Sequence, residues 1–506
     1  MAKDTLHNSK EGADATYDHI VKYTGLFGGV QGLNMLIGIV RNKITASILG
    51  PSGIGLINIY NKVTGLVSQA TNLGISFSAV KHVAELSETI DSEQRDRMID
   101  TVRMWCLMTA VLGMFVGLLL SPWISLWTFG NYDYTLAFCA LSSVVAMMAV
   151  TGGEVAILKG LKQLKRVALI SIFAALATLL VCVPIYYCWG LKGVVAALVA
   201  SNAVVLAIHL YFSSQVAPWR KTIVTIKSIK RGSPMVKLGL AYILAGILGQ
   251  GADYLILSFI QQDAGLEWVG LYNTGYFLAV GIGSMLFVAV DADFFPRLSA
   301  LAHDVKRANM SINRQVEACV LLITPCLILE VMAMPWMVRL LYTAEFMQAV
   351  PMAIGAIFFL FFKALLLPVA YLPLAKGDSW TYLLAEAVYD VFVAVAVPIA
   401  FMKNGLVGAG WALSLAGVFD CLFIYLVYRA KYGFRLSMRP VGAYLVQLAL
   451  LGVCVYGCSV GNPWMKWMVQ GCALGASAYL TYRVLGTEAG VAGRIVEKVK
   501  RKIGRS

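Results

Sequence analysis

Gly55-Leu56-Ile57-Asn58 returns later along this chain as Gly270-Leu271-Tyr272-Asn273. A second pair of segments, Gly190-Leu-Lys-Gly193 and Gly405-Leu-Val-Gly408, has the same separation. Each copy of this internal repeat contains enough apolar sequence for six membrane crossings. Two tandem hydrophobic halves with a site between them are typical of secondary transporters. The repeat therefore predicts a duplicated protein that crosses a membrane many times.

Composition supports a membrane protein. Of the 506 residues, 59% are hydrophobic and only 13% are charged, and the mean hydropathy is +0.75. A water-soluble fold of this length cannot bury that much apolar surface. About 20 apolar residues of helix cross a bilayer, so the pattern predicts an all-α polytopic fold with two six-helix lobes, related by a pseudo-two-fold axis, and two C-terminal helices. The fourteen predicted spans are 21–40, 54–80, 104–128, 135–158, 167–189, 191–213, 236–260, 268–290, 315–341, 347–375, 380–402, 405–428, 440–460 and 464–483.

The distribution of Lys and Arg predicts the orientation. With the N-terminus inside, the inner segments carry 33 of the 41 Lys and Arg residues, and the outer segments carry six. This bias is the positive-inside signal, and it places both termini in the cytoplasm. The basic C-terminal tail then fits anionic lipid better than nucleic acid.

Polar segments predict the domain boundaries. The stretch between the lobes carries five basic residues among isoleucines and a valine, which predicts an amphipathic segment on the inner leaflet. Two equivalent polar loops are expected at 81–103 and 291–314. The predicted domains are a cytoplasmic tail at 1–17, a first lobe at 18–214, the basic linker at 215–234, a second lobe at 235–430, an accessory helix pair at 431–483 and a basic cytoplasmic tail at 484–506.

Several motifs carry a family resemblance. Leu49-Gly-Pro-Ser-Gly-Ile-Gly-Leu56, Ala79-Val-Lys-His-Val-Ala84 and Phe294-Phe-Pro-Arg-Leu-Ser299 follow one another in this order. Together with Asn72-Leu-Gly-Ile75, they resemble the Wzx-type translocases of O-antigen and enterobacterial common antigen. These polysaccharide flippases belong to the superfamily that includes MATE-type exporters and lipid II flippases. The resemblance covers roughly residues 20–430.

The resemblance implies a cavity between two lobes, lined by helices one, two, seven and eight. It also implies the substrate, an oligosaccharide on undecaprenyl diphosphate, which moves from the cytoplasmic to the periplasmic leaflet of the bacterial inner membrane. Membrane lipids and other polysaccharide assembly proteins are the implied partners. Neither a cofactor nor nucleic acid is implied.

Three basic residues are candidates for holding a diphosphate. Arg41 and Lys43 end predicted helix one on the outer side, and Lys62 lies within predicted helix two. Arg and Lys neutralise phosphate oxygens and donate hydrogen bonds to them. For Arg41 and Lys43 the alternative is snorkelling to lipid headgroups. An ammonium at the depth of Lys62 costs on the order of 3 kcal/mol, so it should face a cavity or a carboxylate.

Acidic residues on the second-lobe helices are candidates for ion coupling. Asp253 in predicted helix seven pairs with a cation such as Lys62, carries a coupling proton, or belongs to a structural ion pair. Glu386 and Asp390 share one helix face, where two carboxylates repel unless one is protonated or neutralised. That pair fits a proton or sodium site, although a structural network is favoured because the family's cavity is lined by other helices.

Neutral polar residues on the same four helices suit sugar hydroxyls, though helix bundles also use them as interhelical hydrogen-bonding groups. The candidates are Asn58, Asn61, Asn72, Gln250, Tyr254 and Asn273, with Asn34, Gln69 and Tyr276 beside them.

Enzyme motifs are missing from the sequence. It contains no Gly-x-x-x-x-Gly-Lys-Ser/Thr loop, no His-Glu-x-x-His and no Gly-x-Ser-x-Gly, and its ten cysteines form no metal-ligand pattern. The main alternatives to a glycolipid flippase are a MATE-type drug or cation antiporter and a lipid II flippase. A polytopic glycosyltransferase or polymerase, or a scaffold of the assembly machinery, represents a different class. Short outer loops disfavour the enzyme, and the basic residues on helices one and two disfavour a cation cavity.

Overall fold

The structure is a computed structural model of the chain. It describes residues 2–87, 92–219, 226–284, 287, 294–295, 297–301, 304–438 and 440–489, with only the backbone at 2–29, 31, 77, 87, 92, 226–242 and 486–489.

Thirteen α-helices account for most of the described chain. In order they are α1 (Ala2–Thr71), α2 (Ile75–Ser87), α3 (Ser92–Phe129), α4 (Thr135–Gly160), α5 (Leu164–Trp189), α6 (Val194–Ser214), α7 (Ile226–Ala264), α8 (Leu266–Tyr276), α9 (Val305–Leu341), α10 (Val350–Ala375), α11 (Ser379–Tyr432), α12 (Val441–Gly457) and α13 (Pro463–Ala489). Short 3₁₀ turns lie at Gly190–Gly193 and Ala344–Ala349, and α8 continues into a π-helical turn at Phe277–Gly281. The described part of the chain contains no β-strand.

Two of the helices contain two predicted crossings each and are divided at a glycine. In α1, Gly50 has φ 64° and ψ −169°, and Pro51 begins the next helical segment. Glycine reaches positive φ without a steric penalty, and proline suits the first turn of a helix. In α11, Asn404 and Gly405 form a similar break. With α1 and α11 divided there, the helices form fifteen segments, and they correspond to the fourteen predicted crossings when α2 is counted with the second half of α1 as predicted helix two.

The internal repeat is visible in the backbone. Gly50 and Gly265 both have positive φ, and so do Gly190 (54°) and Gly405 (55°). Lys162, at φ 56°, is repeated as Gly377, at 74°. All three pairs have the separation seen in the sequence repeat, and all three join successive helices. The repeat is therefore a structural duplication as well as a sequence match.

Several predicted boundaries are wrong. The first helical segment runs to the break at Gly50, so Arg41 and Lys43 lie within it and do not end it. Predicted helix two is interrupted near Leu73 and Gly74, which both have positive φ, before α2 begins. The polar segment at 81–103 is mostly helical, in α2 and α3, and α9 begins at Val305 inside the second predicted loop. Helices that continue beyond the membrane carry polar residues, which resemble loops in sequence.

The chain divides into two compact units, Met1–Ile247 and Leu248–Ser506. Among the described residues, seven continuous helical stretches are both long and apolar enough to cross a membrane, and two of these, Leu164–Ser214 and Ser379–Tyr432, extend over 51 and 54 residues. The protein is therefore a multi-pass membrane protein. The side chains of the predicted amphipathic linker from 220 to 234 lie outside the described residues.

A buried cluster in the first unit packs α2 against α3 and α4. Ala79 and Val83 of α2 are fully buried with Val102 of α3 and Ile157 of α4. A Cβ atom at Gly160 would lie 2.6 Å from Val83, so this glycine allows close contact with α2. The Ala79-Val-Lys-His-Val-Ala84 motif thus has a packing role at this end of the first unit.

Candidate functional site

The basic candidates all lie on α1 in the first unit. Arg41, Lys43 and Lys62 are each half-buried, and Lys62 stands between exposed Asn61 and buried Val63. The Arg41 charge acts on the buried phenol of Tyr186 on α5. The side of α1 near Lys62 therefore combines a cation with an exposed amide inside a predicted membrane crossing.

Two of the asparagines predicted to bind sugar hydrogen-bond to their own helices. The Asn58 amide donates to the Ile54 carbonyl at 2.8 Å, and the Asn273 amide donates to the Val269 carbonyl at 2.9 Å. The two hydrogen bonds lie at equivalent positions in the two copies of the repeat. Their amide groups thus have a helix-stabilising role in both units.

Other amides in the first unit connect different segments. The Asn34 amide donates to Ser171 Oγ of α5 at 3.0 Å, and the Asn72 amide donates to Ser76 Oγ at 2.8 Å. The carbonyl oxygens of Asn34 and Asn72 are both buried without a hydrogen-bond partner in the described structure. Gln69 packs against Gly246 of α7, where a Cβ would lie 2.3 Å from its amide nitrogen. Polar groups therefore extend along much of α1.

Acidic residues from α7 and α11 come together in the second unit. A Cβ built at Gly249 lies 3.7 Å from Asp390 Oδ2. The Asp253 and Asp390 charges act on each other, and both act on Tyr276 of α8. Asp390 of α11 therefore lies beside α7, an approach that the sequence did not predict. Gln250 and Tyr254 are half-buried on the same part of α7.

Further charged groups extend this acidic cluster along α10 and α11. Glu386 hydrogen-bonds with Tyr382, and the Lys363 charge acts on both Glu386 and Asp420. The Lys363 ammonium lies 5.9 Å from the centre of the Phe359 ring. Sequence reasoning recognised Glu386 and Asp390 as a pair that a cation such as Lys363 could neutralise, but it assigned no site role to Asp420. The signal was available, because charged residues are rare in apolar helices.

The second-unit cluster consists of Asp253, Glu386, Asp390 and Asp420 with Lys363. Four ionised carboxylates beside one ammonium would repel strongly at membrane depth, so the cluster suits uptake of protons or of a monovalent cation. In the part of the chain that the structure describes, no three His, Cys, Asp or Glu residues are placed to hold a metal ion together.

A buried ion pair in the first unit was missed. Arg103 of α3 donates from Nε and Nη2 to the two oxygens of Glu154 on α4, at 2.9 and 3.0 Å. The two side chains are each 1% exposed. Arg103 also donates to the Ala217 and Pro218 carbonyls, and its guanidinium lies 4.6 Å from the Trp219 ring centre. Arg103 was assigned to a loop, so its partner on α4, which is distant in the sequence, could not be predicted.

A second ion pair joins the ends of α11. Asp378 accepts hydrogen bonds from the Thr381 backbone, and its Oδ2 accepts from Lys431 at 2.6 Å and from the Tyr432 hydroxyl at 2.7 Å. The Lys431 hydrogen bond holds the pKa of Asp378 well below its usual range, with Tyr432 adding to the effect. Asp378 thus caps α11 and ties its beginning to its end.

Asp291 and Asp293, at the predicted cytoplasmic end of helix eight, lie outside the described residues. Arg297 donates from Nη2 to Gln315 Oε1 at 3.0 Å and lies over the Phe294 ring.

The fold is similar to those of several solved membrane transporters and flippases. The chain is similar in fold to the lipid II flippase MurJ, with a TM-score of 0.68 and 13% identity over 91% of this chain and 99% of that chain. It is also similar to a multidrug resistance MATE family transporter of the MOP superfamily, at 0.64 and 14% over 79% and 94%. A MOP superfamily transporter from Pyrococcus furiosus Vc1 matches at 0.55 and 14%, over 81% and 93%.

The sequence family is narrower than this fold. A family model described as polysaccharide biosynthesis protein matches residues 44–351, which is more than half of the chain. The chain therefore belongs to the polysaccharide biosynthesis protein family. No protein with a curated description matches it in sequence.

Proposed function

We propose that this protein is a flippase that moves undecaprenyl-diphosphate-linked oligosaccharide, such as an O-antigen repeat unit, from the cytoplasmic to the periplasmic leaflet of the bacterial inner membrane. The observation that carries the proposal is the polysaccharide family match on a chain whose fold is that of lipid flippases and transporters. The half-buried cation Lys62, in a predicted membrane crossing, supplies the chemistry that an anionic diphosphate requires.

The mechanism divides the substrate between two environments. The polyprenyl tail stays in lipid, while the diphosphate and sugars need a polar path. Lys62, with Arg41 and Lys43 on the same helix, neutralises the diphosphate, and exposed Asn61 is available to sugar hydroxyls. Alternating access of the two six-helix lobes then presents the head group to the other side.

The acidic cluster of the second unit supplies the coupling. Asp253, Glu386 and Asp390 exchange protons or a monovalent cation, which changes the net charge of the cluster during the cycle. The observation that supports this step is the mutual influence of Asp253 and Asp390 across α7 and α11. Because the sequence contains no ATP-binding loop, the energy input comes from an ion gradient or from consumption of the flipped product.

Replacement of Lys62 tests the substrate assignment. We expect Lys62→Gln to remove most of the surface polysaccharide from a bacterium that depends on this gene, and Lys62→Arg to retain a substantial part of it. Lys192→Gln is the matched control, because Lys192 is exposed in the turn between α5 and α6. Normal polysaccharide with Lys62→Gln, at wild-type protein levels, would contradict the proposal.

Export of organic cations is the second candidate function, and the acidic cluster favours it. Carboxylates attract organic cations, whereas the basic residues of α1 repel them. Lipid II is the third candidate substrate. Resistance to cationic dyes that depends on Asp390 but not on Lys62 would favour export, and complementation of a lipid II flippase defect would favour lipid II.

A further inference from the structure

A carboxylic acid outside the acidic cluster is buried in the second unit. Glu330 lies within α9, a helix of 37 residues, and only 8% of the residue is exposed. Its Oε1 atom is buried and has no hydrogen-bond partner in the described structure. Buried polar atoms in proteins are almost always hydrogen-bonded. This exception calls for a physical explanation.

The wall opposite Glu330 is formed by the irregular continuation of α8. The π-helical turn ends at Gly281, and the Ile282 N–H donates to the Phe277 carbonyl at 3.1 Å, five residues back. A Cβ at Gly283 would lie 3.2 Å from Glu330 Oε2 and 2.1 Å from Leu360 of α10. A side chain at residue 283 would therefore clash with Leu360 and crowd the Glu330 carboxyl group.

None of the described residues around Glu330 places an opposite charge near its carboxyl group. The Glu330 charge acts on Cys326, one turn earlier on α9. Polar groups on the neighbouring helices interact with residues other than Glu330. On α10, the Lys363 charge acts on Glu386 and Asp420, and on α12 the Cys454 thiol donates to the Ile328 carbonyl. On α8, Tyr272 and Tyr276 interact with Asp253, and on α13 Thr481 donates to the Leu321 carbonyl.

An ionised carboxylate in this setting would be unfavourable by several kcal/mol, because it would lack both water and a cation. A neutral carboxylic acid avoids most of that cost. Short π-helical turns inside α-helices are frequent at functional sites. The π-helical turn after α8 is therefore placed so that a small movement would admit water to the Glu330 carboxyl group or exclude water from it.

We infer that Glu330 is an intramembrane proton-binding site, separate from the acidic cluster, and that the π-helical turn after α8 controls release of its proton. The ligand is H⁺, which binds one carboxylate oxygen of Glu330 and leaves to water when the turn opens. Proton binding is independent of the proposed function, whereas the coupling of that proton to substrate movement rests on it.

Infrared spectroscopy of the purified full-length protein in lipid nanodiscs tests proton binding. We expect wild-type protein at neutral pH to show a carbonyl band of a protonated carboxylic acid in an apolar environment. Glu330→Gln should lose the component of this band that belongs to Glu330, while Glu386→Gln, in the acidic cluster, should retain that component. Gly283→Ala should shift the band, because the methyl group crowds the carboxyl. An unchanged band with Glu330→Gln would overturn the inference.

Misfolding is separable from loss of the proton site. Glu330→Asp keeps the acid and shortens the side chain, so a folded variant should show a shifted band. Absence of the carbonyl band from folded Glu330→Asp would also contradict the proposed proton site.

Transport in proteoliposomes tests the coupling. With undecaprenyl-diphosphate saccharide as the probe, we expect a pH gradient to stimulate wild-type flipping several-fold and to leave Glu330→Gln flipping unchanged. Equal stimulation of both proteins would overturn the coupling. If the wild type moves no saccharide while the infrared band behaves as expected, the proposed function fails and the proton site stands.

Discussion

The packing of α1 against α5 and the approach of α7 to α11 are repeat equivalents with different chemistry. In the first unit, Asn34 of α1 donates to Ser171 of α5 at 3.0 Å. In the second unit, the equivalent positions hold Gly249 and Glu386, and Asp390 lies next to Gly249. A neutral hydrogen bond in one copy thus corresponds to carboxylates in the other.

Charged residues in each unit correspond to uncharged residues in the other. The positions in the first unit that correspond to the second-unit cluster hold no charge, since they are Gly38, Met148, Ser171, Ala175 and Val205. Conversely, Arg103 and Glu154 correspond to Ala318 and Val369. The two copies share helices and junctions, while each unit has its own charged groups. The first unit pairs its buried charges for stability, and the second unit concentrates acids suited to ion exchange.

The largest effect on stability is expected at the buried pair of the first unit. Arg103→Met leaves Glu154 buried without a cation, which should lower the free energy of unfolding by about 3 to 5 kcal/mol. Arg103→Met with Glu154→Leu should recover much of that loss, because no unpaired charge remains. Thermal unfolding in detergent measures both. Arg97→Met, which breaks the exposed pair with Glu93, is the control and should change stability by less than about 1 kcal/mol.

A carboxylate placed in the first unit tests whether the two regions are interchangeable. Ala175→Asp puts an acid at the position equivalent to Asp390, in a unit without the equivalent of Lys363. We expect a cost of about 3 kcal/mol, the usual value for a charge at membrane depth, and lower membrane levels. Asp390→Asn should keep wild-type levels but lose ion-dependent transport. Equal tolerance of both substitutions would contradict the assigned asymmetry.

The helix junctions are common to the two units, so substitutions at these junctions test the shared scaffold. Gly265 has φ 96° and ψ 177°, a region that only glycine adopts readily, so Gly265→Ala should destabilise the protein by about 1 to 3 kcal/mol. Lys162→Gly should be close to neutral, because relief of its positive φ offsets the added freedom of the unfolded chain. Unfolding temperatures compare the two. A large loss with Lys162→Gly would show that this junction depends on the lysine side chain.

The smallest expected effect concerns the tie between the ends of α11. Asp378→Asn removes the charge that Lys431 contacts, at a cost of about 0.5 to 1 kcal/mol for a partly exposed pair. Because the pKa of Asp378 is lower in the folded chain, this stabilisation is present above the unfolded-state pKa of about 3.9 and is lost as the pH falls from there through the folded-state pKa. The difference between the unfolding temperatures of the two proteins should therefore begin to shrink below about pH 5 and continue to shrink as the pH falls further. A constant difference would mean that the charge is not involved.

The sequence predicted the scaffold well because the features that define it are local. Apolar runs long enough to cross a bilayer identify the crossings, and the repeat that relates Gly190 to Gly405 identifies equivalent junctions. Helix ends were less predictable, since α2 and α3 continue through residues that are polar enough to resemble a loop. Whether Leu73 adopts positive φ depends on packing that no local pattern records.

Side-chain partnerships were harder to predict than helices. Glu386 and Asp390 were recognisable from their i, i+4 spacing, but the approach of Asp390 to Gly249 brings together residues that are far apart in the sequence. Arg103 was hidden because a basic residue near a helix end resembles a surface residue. Glu330 was visible as an acid in an apolar run, yet its unpaired oxygen is evident only from the packing around Gly283.

The most direct test of the central claim is a flipping assay with purified protein. Proteoliposomes would carry undecaprenyl-diphosphate oligosaccharide with a reporter sugar, and an external enzyme would measure how fast the inner-leaflet sugar becomes accessible. We predict movement at least ten times faster than in empty liposomes, abolished by Lys62→Gln, retained by Lys192→Gln and made insensitive to the ion gradient by Asp390→Asn. Movement no faster than in empty liposomes, with folded protein present under an imposed gradient, would contradict the assignment.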